Sequence, residues 1–292
     1  VIDTVPKANV ADVDMAIASA VRGAEAMRKL TAYDRYSILR KTADLLAERS
    51  EDLARTITME EGKVIAEGRT EVQRAIQTIT VSSEEAKRLH GETVPLDAAP
   101  GNVNQFGFTI RVPVGVVVAI APFNFPLNLV CHKVGPALAA GNTVVLKASE
   151  HASAPMLEFA KVFEEADFPP GVLNVVTGLG EPCGRALTSH PLVDRISFTG
   201  GPETARQVIR NSAENFAEVS LELGGKSPVI VFEDADLESA INGVLLSIFS
   251  ASGQSCVAGS RLLLHEKIHD EVLGEVAKRA ANIRIGDPLD EA

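Results

Sequence analysis

The sequence predicts a doubly wound α/β protein, with a layer of N-terminal helices, a hairpin arm, a five-stranded parallel sheet interleaved with helices, and the start of a second α/β unit. Three observations predict it. Apolar residues recur at helical spacing from Val13 to His90. After Pro113 the pattern switches repeatedly between short apolar strands and amphipathic helices, as a parallel sheet covered on both faces requires. From Pro228 the same alternation begins again and reaches IGDPLDEA after two strands and two helices.

The helical stretch is marked by Val13, Ile17 and Val21, by Ile38, Leu45 and Leu46, and by Leu53 and Ile57, with Thr31 and Ser50 placed as N-caps. Gly91 and Pro95 end it. GNVNQFGFTIRVP (101–113) alternates and carries small turn residues, so it reads as a hairpin arm on an edge, within about 95–112, suited to pairing with another subunit. The sheet strands are GVVVAI (115–120), TVVLK (143–147), VLNVV (172–176), RISF (195–198) and VSLEL (219–223). Helices between them are marked by Pro126 and Gly141, Ser153 with Pro155, Glu181 with Pro182, and Pro202 onward. The second run is PVIVF (228–232), a helix over 236–250, RLLL (261–264) and a helix over 266–282. The division into domains is therefore 1–224 and 225–292, the second incomplete.

Composition excludes several classes. Among 292 residues, 46% are hydrophobic, enough for a well-buried core. Lys and Arg total 28 against 39 Asp and Glu, a net charge of −11, and no basic run offers a phosphate-neutralising face, so nucleic acid is not an expected partner. The longest apolar run, VPVGVVVAIAP (112–122), is about half a membrane-spanning helix and reads as a buried strand, so no membrane is expected. Cys131, Cys183 and Cys256 are odd in number and lack metal-ligand spacing, which argues against disulfides and a metal site and suits the reducing cytoplasm. VIDTVPKAN has neither a basic nor an apolar leader region.

In open α/β sheets, ligands bind beyond the carboxyl ends of the strands. Every predicted strand of the first sheet ends in a polar or glycine-bearing tip: APFNFP with Asn124, LKASE with Lys147, Ser149 and Glu150, TGLG with Gly178 and Gly180, FTGG with Phe198, Thr199, Gly200 and Gly201, and LELGGK with Glu222, Leu223 and Gly224. Singly, each has an ordinary reading. Asn124 beside prolines is a common turn residue, and Lys147 reads equally as a solvated strand terminus. GLGEPCG lacks the usual dinucleotide spacing. Glu222 near the end of an apolar strand is costly unless paired or wet, so it is either a base with a raised pKa or a structural ion-pair partner.

The cysteines divide the same way. Cys131 in NLVCHKVGPALAAG reads as core filler, because a free Cys packs as a small hydrophobe. Cys183 at a helix N-terminus reads as structural, although that position lowers a thiol pKa. Cys256 lies in SASGQSCVAGSR among Gly253, Gln254, Ser255, Ala258 and Gly259, and composition leaves filler and nucleophile evenly matched. No histidine spacing supports a Cys-His hydrolase.

Taken in order, APFNFPLNL, GNTVVLKASE, FTGG, LELGGKSP and GQSC resemble the aldehyde dehydrogenase superfamily, over essentially the whole chain. The resemblance implies a Rossmann-like NAD-binding domain, Cys256 as nucleophile, Glu222 as general base, and Asn124 with the Cys256 backbone N–H as oxyanion hole. It implies a nicotinamide cofactor against Lys147, Ser149, Glu150, Gly180, the FTGG loop (Phe198, Thr199, Gly200, Gly201), Leu223 and Gly224. A carboxylate at the adenosine ribose accepts from a 2′-hydroxyl and repels a 2′-phosphate, so Glu150 favours NAD over NADP. The implied reaction oxidises an aldehyde to an acid through a cysteine thiohemiacetal and a thioester that water hydrolyses. Cys256 follows a helix C-terminus, where the dipole does not activate a thiol, so cofactor binding is expected to accelerate its alkylation.

Two alternatives stand beside this. A CoA-acylating semialdehyde dehydrogenase would pass the acyl group to CoA, but such relatives generally lack the base that Glu222 would supply. A non-catalytic cofactor-binding relative would be expected to lose Cys256, Glu222 or Asn124, and all three are present. The resemblance also implies a homodimer or homotetramer and, from FNFPLNL and FTGG, a short oxygenated aldehyde. Family members continue past this point with a Glu-x-Phe-Gly-Pro segment and much of the aldehyde tunnel, so the chain reads as a fragment without turnover of its own. Ala148 stands where many relatives carry proline.

Overall fold

The computed structural model describes residues 4–291. The helices of the first part are α1 (Val10–Met27), α2 (Ala32–Glu48), α3 (Ser50–Glu61) and α4 (Ile65–Ala86). Capping boxes start the first two: Asn9 and Asp12 exchange side-chain and backbone bonds at α1, and Thr31 and Asp34 do so at α2. Ser50 is not a cap. It is the first residue of α3, whose N-cap Arg49 makes no side-chain cap bond, because α2 runs almost directly into α3.

The sheet consists of β3 (Val116–Ile120), β4 (Thr143–Lys147), β5 (Leu173–Val176), β6 (Arg195–Gly200) and β7 (Glu218–Leu223), preceded by a pair, β1 (Thr93–Val94) and β2 (Gly107–Phe108). All neighbours in the sheet are parallel, in the order β5-β4-β3-β6-β7. Counted along the chain this is 3-2-1-4-5, so the winding direction reverses beside β3 and opens a crevice between the tips of β3 and β6.

Both sheet faces are buried, which explains the unbroken apolar strands. Val117 and Ala119 face one core with residues of α2 to α4, α5 (Asn128–Ala139) and α6 (Ala154–Glu165). Val116, Val118 and Ile120 face the other, with α1, α7 (Arg185–Ser189) and α8 (Pro202–Ser212). The helical layer predicted from Val13 onward is thus α2 to α4, while α1 lies on the opposite face. A Cβ on Gly23 would stand 2.5 Å from the backbone carbon of Gly171, so that glycine lets α1 approach the loop before β5.

The arm departs from the expected hairpin within 101–113. Its pairing runs back to β1, with Thr93 opposite Phe108 and Val94 opposite Gly107, and Thr109 N–H donates to Glu92. Only two residues pair on each side, leaving Phe106, Phe108, Ile110 and Val112 exposed.

The second unit has β8 (Pro228–Val231), α9 (Leu237–Phe249), β9 (Arg261–Leu264) and α10 (His269–Ala281), with β8 parallel to β9. Asp236 caps α9 through Ser239 N–H at 2.8 Å. Its core is small, built on Val231, Ile241, Ile268 and Val272. Among the described residues no helix is long and apolar enough to cross a membrane.

Candidate active site

The β3 tip runs through Pro122 to Asn124 before α5 starts. The Asn124 carbonyl accepts from Lys63 Nζ at 2.7 Å, and its amide Nδ2 donates to the Gln254 carbonyl at 2.7 Å. That bond joins the first unit to the loop carrying Cys256. An amide has two N–H donors, and one is spent on Gln254.

The loop after α9 is tightly wound. Ala251 and Ser252 have φ of 49° and 54°, and Gly253 has φ of 77°. Left-handed geometry at two non-glycine residues costs about 1–2 kcal/mol each and persists only where surrounding contacts hold it. The Ala251 N–H donates to both carboxylate oxygens of Glu67 at 3.0 Å. A Cβ on Gly259 would collide with the Val229 and Ser247 side chains, so glycine seats the far end of the loop against β8 and α9. Cys256 is exposed, whereas Cys131 and Cys183 are buried. Burial pushes both inner thiols up; at Cys183 the Lys147 charge opposes this without cancelling it.

A cleft of about 1050 Å³ lies over the switch point, and Asn124 and Cys256 are both in its wall. Lys147, Ser149, Glu150, Gly180, Phe198, Thr199, Gly200, Gly201, Leu223 and Gly224 line it as well. Lys147 is not a solvated terminus: it is 4% exposed, and Nζ donates to the Ala148 carbonyl at 3.1 Å and to Glu150 Oε2 at 3.3 Å. Burial works against ionisation of Glu150, but a backbone N–H and Lys147 outweigh it and hold the carboxyl below its ordinary value. At Gly180, Gly201 and Gly224 a Cβ would meet nothing within 4 Å, and none has positive φ. Neither packing nor backbone strain demands glycine at these three; the space they leave suits the close approach of a bound nucleotide.

Glu222 stands apart: it is the one predicted site residue outside the cleft wall, and it is exposed. The costly semi-buried position expected from its strand does not arise, because the strand tip is wet. Glu222 is opposite Thr199 in the β6–β7 register, so both side chains leave the same face. There Lys133 Nζ, from α5, donates to Thr199 Oγ1 at 2.7 Å and to Ser197 Oγ at 3.3 Å. Burial pushes Lys133 down to about 8, with the Glu222 charge pulling the other way. His132 is also held low by burial and by Arg74 and Lys133, against Glu222.

A family model described as the aldehyde dehydrogenase family matches residues 1–292. The chain belongs to the aldehyde dehydrogenase family. It is 51% identical over 261 residues to (Z)-2-((N-methylformamido)methylene)-5-hydroxybutyrolactone dehydrogenase of Acinetobacter baylyi, covering 89% of this chain and 53% of that protein. It is similar to the crystal structure of an E. coli NADP-dependent enzyme, with a TM-score of 0.95, 41% identity, and 98% of this chain and 59% of that one covered. It is also similar to PnpE of Pseudomonas sp. WBC-3 in complex with nicotinamide adenine dinucleotide, with a TM-score of 0.94, 41% identity, and 97% and 57% covered. The chain thus spans between half and three-fifths of the length of these relatives. Aldehyde dehydrogenases bind NAD or NADP, and both occur among these neighbours.

For this aldehyde dehydrogenase chain, sequence reasoning missed four residues of the site's framework. Lys133 was hidden inside the apolar helix that carries Cys131, where its signal was a lone cation among core residues. Lys63, Glu67 and Glu71 sit in the helical layer, where charged residues read as an ordinary solvated face.

Proposed function

We propose that the chain forms the cofactor-binding domain, 1–224, and the nucleophile-bearing part, 225–292, of an NAD-dependent dehydrogenase that oxidises a short oxygenated aldehyde to its acid. The bond from Asn124 Nδ2 to the Gln254 carbonyl carries this reading, because it holds an amide donor two residues from the exposed Cys256 within one cleft.

Cys256 Sγ, as thiolate, adds to the carbonyl carbon, and the oxygen takes up the negative charge. The second Asn124 amide N–H and the Cys256 backbone N–H donate to that oxyanion, supplying fixed dipoles where charge develops. Lys147, Ser149, Glu150, Gly180, the residues Phe198 to Gly201, Leu223 and Gly224 hold the nucleotide, with Glu150 receiving the ribose hydroxyls. When bound, the nicotinamide supplies the hydride acceptor. Glu222 then takes a proton from water as the water oxygen attacks the acyl carbon on Cys256, and the thiolate leaves. The Glu222 charge on the same face favours the charged form of Lys133. A base at this point favours hydrolysis over transfer to CoA.

Glu150 supports NAD over NADP, since a carboxylate repels a 2′-phosphate. The exposed apolar side chains of the arm support a homo-oligomer joined there, as dimer or tetramer. An exposed reactive thiol suits a reducing cytoplasm. The test is a panel of short hydroxy-, sulfo- and semialdehydes with NAD, with and without CoA, on the full-length polypeptide. Reduction of NAD with free acid as product supports the reading; acyl-CoA as sole product, or no reduction with any aldehyde, contradicts it.

A further inference from the structure

Three charged residues spaced four apart, Lys63, Glu67 and Glu71, cross the beginning of α4, far from the cleft wall in sequence and in no catalytic role. Glu67 and Glu71 share one face of α4, and Lys63 lies in the link just before its N-cap Val64. Glu71 is 1% exposed and divides its carboxylate: Oε1 accepts from the Leu127 and Asn128 N–H groups at 2.9 and 3.1 Å, and Oε2 accepts from Lys63 Nζ at 2.6 Å. The same ammonium donates to the Asn124 carbonyl and lies 3.8 Å over the Phe125 ring. Lys63 and Glu71 therefore hold the Asn124 segment at both ends, by its carbonyl and by the start of α5. One turn away, Glu67 grips Ala251 with two oxygens, at the residue where the Cys256 loop enters its left-handed bend.

Two segments from different units are thereby fastened to one rigid surface. We propose that Glu67 and Glu71 of α4, with Lys63 in the link before it, form a positioning template that sets the spacing between the Asn124 amide and the Cys256 backbone, so that both oxyanion donors point at one atom. This rests on the reading of Cys256 and Asn124 given above. None of the three residues lines the cleft. Glu67 is its most informative member, because it acts on the nucleophile loop alone and its bond needs only an acceptor. Oxyanion donors are effective only when already aimed, so a loosened loop is expected to lower turnover without weakening nucleotide binding.

The test uses the full-length polypeptide with Glu67→Ala and Glu67→Gln, and with Cys256→Ser as reference. Turnover is normalised to the thiol titrated at Cys256, and thermal melting reports folding. Glu67→Ala is expected to lose at least about tenfold in kcat per titrated thiol, with the dissociation constant of NAD unchanged. Glu67→Gln, whose amide oxygen still accepts from Ala251, is expected to recover most of that loss. A merely structural role would lower melting temperature and leave kcat per thiol intact in both variants, which overturns the proposal. So does an equal kcat loss in both, since that makes charge and not the hydrogen bond decisive. If wild type and Cys256→Ser are alike in turning over no aldehyde, the functional reading fails and the template falls with it. If wild type turns over aldehyde, Cys256→Ser does not, and Glu67→Ala matches wild type, the template alone fails.

Discussion

The Asn124 amide donates at 2.7 Å to the carbonyl of Gln254, a residue 130 positions away and two before Cys256. A side chain at the tip of the first sheet strand thus registers the loop of the second unit. Replacing Asn124 with Ala removes both this tie and the proposed oxyanion donor. The expected result is a kcat lower by about 10²–10³ with cofactor affinity unchanged, because Lys147 ends another strand and Glu150 lies in the turn beyond it. Steady-state kinetics and NAD titration check it; a raised KM with kcat intact would count against it.

Glu150 sets the cofactor prediction. Glu150→Ser removes the carboxylate proposed to repel a 2′-phosphate and leaves Lys147 Nζ beside the opening. NADP is expected to gain on NAD by about tenfold or more in kcat/KM, by analogy with a repulsive element removed from a specificity site. No gain in NADP use would place discrimination elsewhere in the cleft.

Lys133 gives a pH dependence for activity. Its ammonium is pushed down to about 8 by burial, against the pull of Glu222. As pH rises through that value the proton leaves, and with it the positive charge beside the proposed base. The kcat profile is expected to bend near pH 8, to lose this bend in Lys133→Gln, and to lose it in Lys133→Arg, which stays charged throughout. The same bend in all three would assign it to another group.

Much of this site was legible before any coordinates. Strand-end logic found Asn124, Lys147, Glu150 and the FTGG and LELGG glycines because strand periodicity marks where each β-strand stops, and ligand chemistry collects there. Cys256 became legible through the order of those motifs. What sequence did not reveal is carried by tertiary contacts between distant segments: Lys63 reaches Asn124 across 61 positions and Glu67 reaches Ala251 across 184. No local period encodes such a contact. The face chosen by α1 and the partner of the arm were hidden for the same reason, since amphipathicity says that a helix or strand buries one side but not against what. Glu222 was misjudged in the other direction: an apolar strand suggested burial, but its last two residues are exposed.

Glu61 gives a pH dependence for stability. Burial, opposed by Lys63 at 3.5 Å and aided by Glu71, pushes its carboxyl from 4.5 up to about 7. Between those values the folded chain keeps a proton that the unfolded chain has released. Stability from this group is therefore full below about pH 4.5 and is lost as pH rises through 7, by roughly 3 kcal/mol. Glu61→Gln is expected to show a smaller loss than wild type. Urea unfolding at several pH values in that range measures it, and equal losses in the two proteins would contradict it.

The proposed chemistry rests on a covalent bond between Cys256 and the aldehyde carbon. The most direct measurement is mass spectrometry of the Cys256 peptide from full-length Glu222→Gln, acid-quenched after mixing with aldehyde and NAD, beside the turnover of Cys256→Ser. An acyl mass is expected on Cys256, none on Cys131 or Cys183, and no NADH from Cys256→Ser. An unmodified Cys256 peptide together with retained turnover in Cys256→Ser would contradict it.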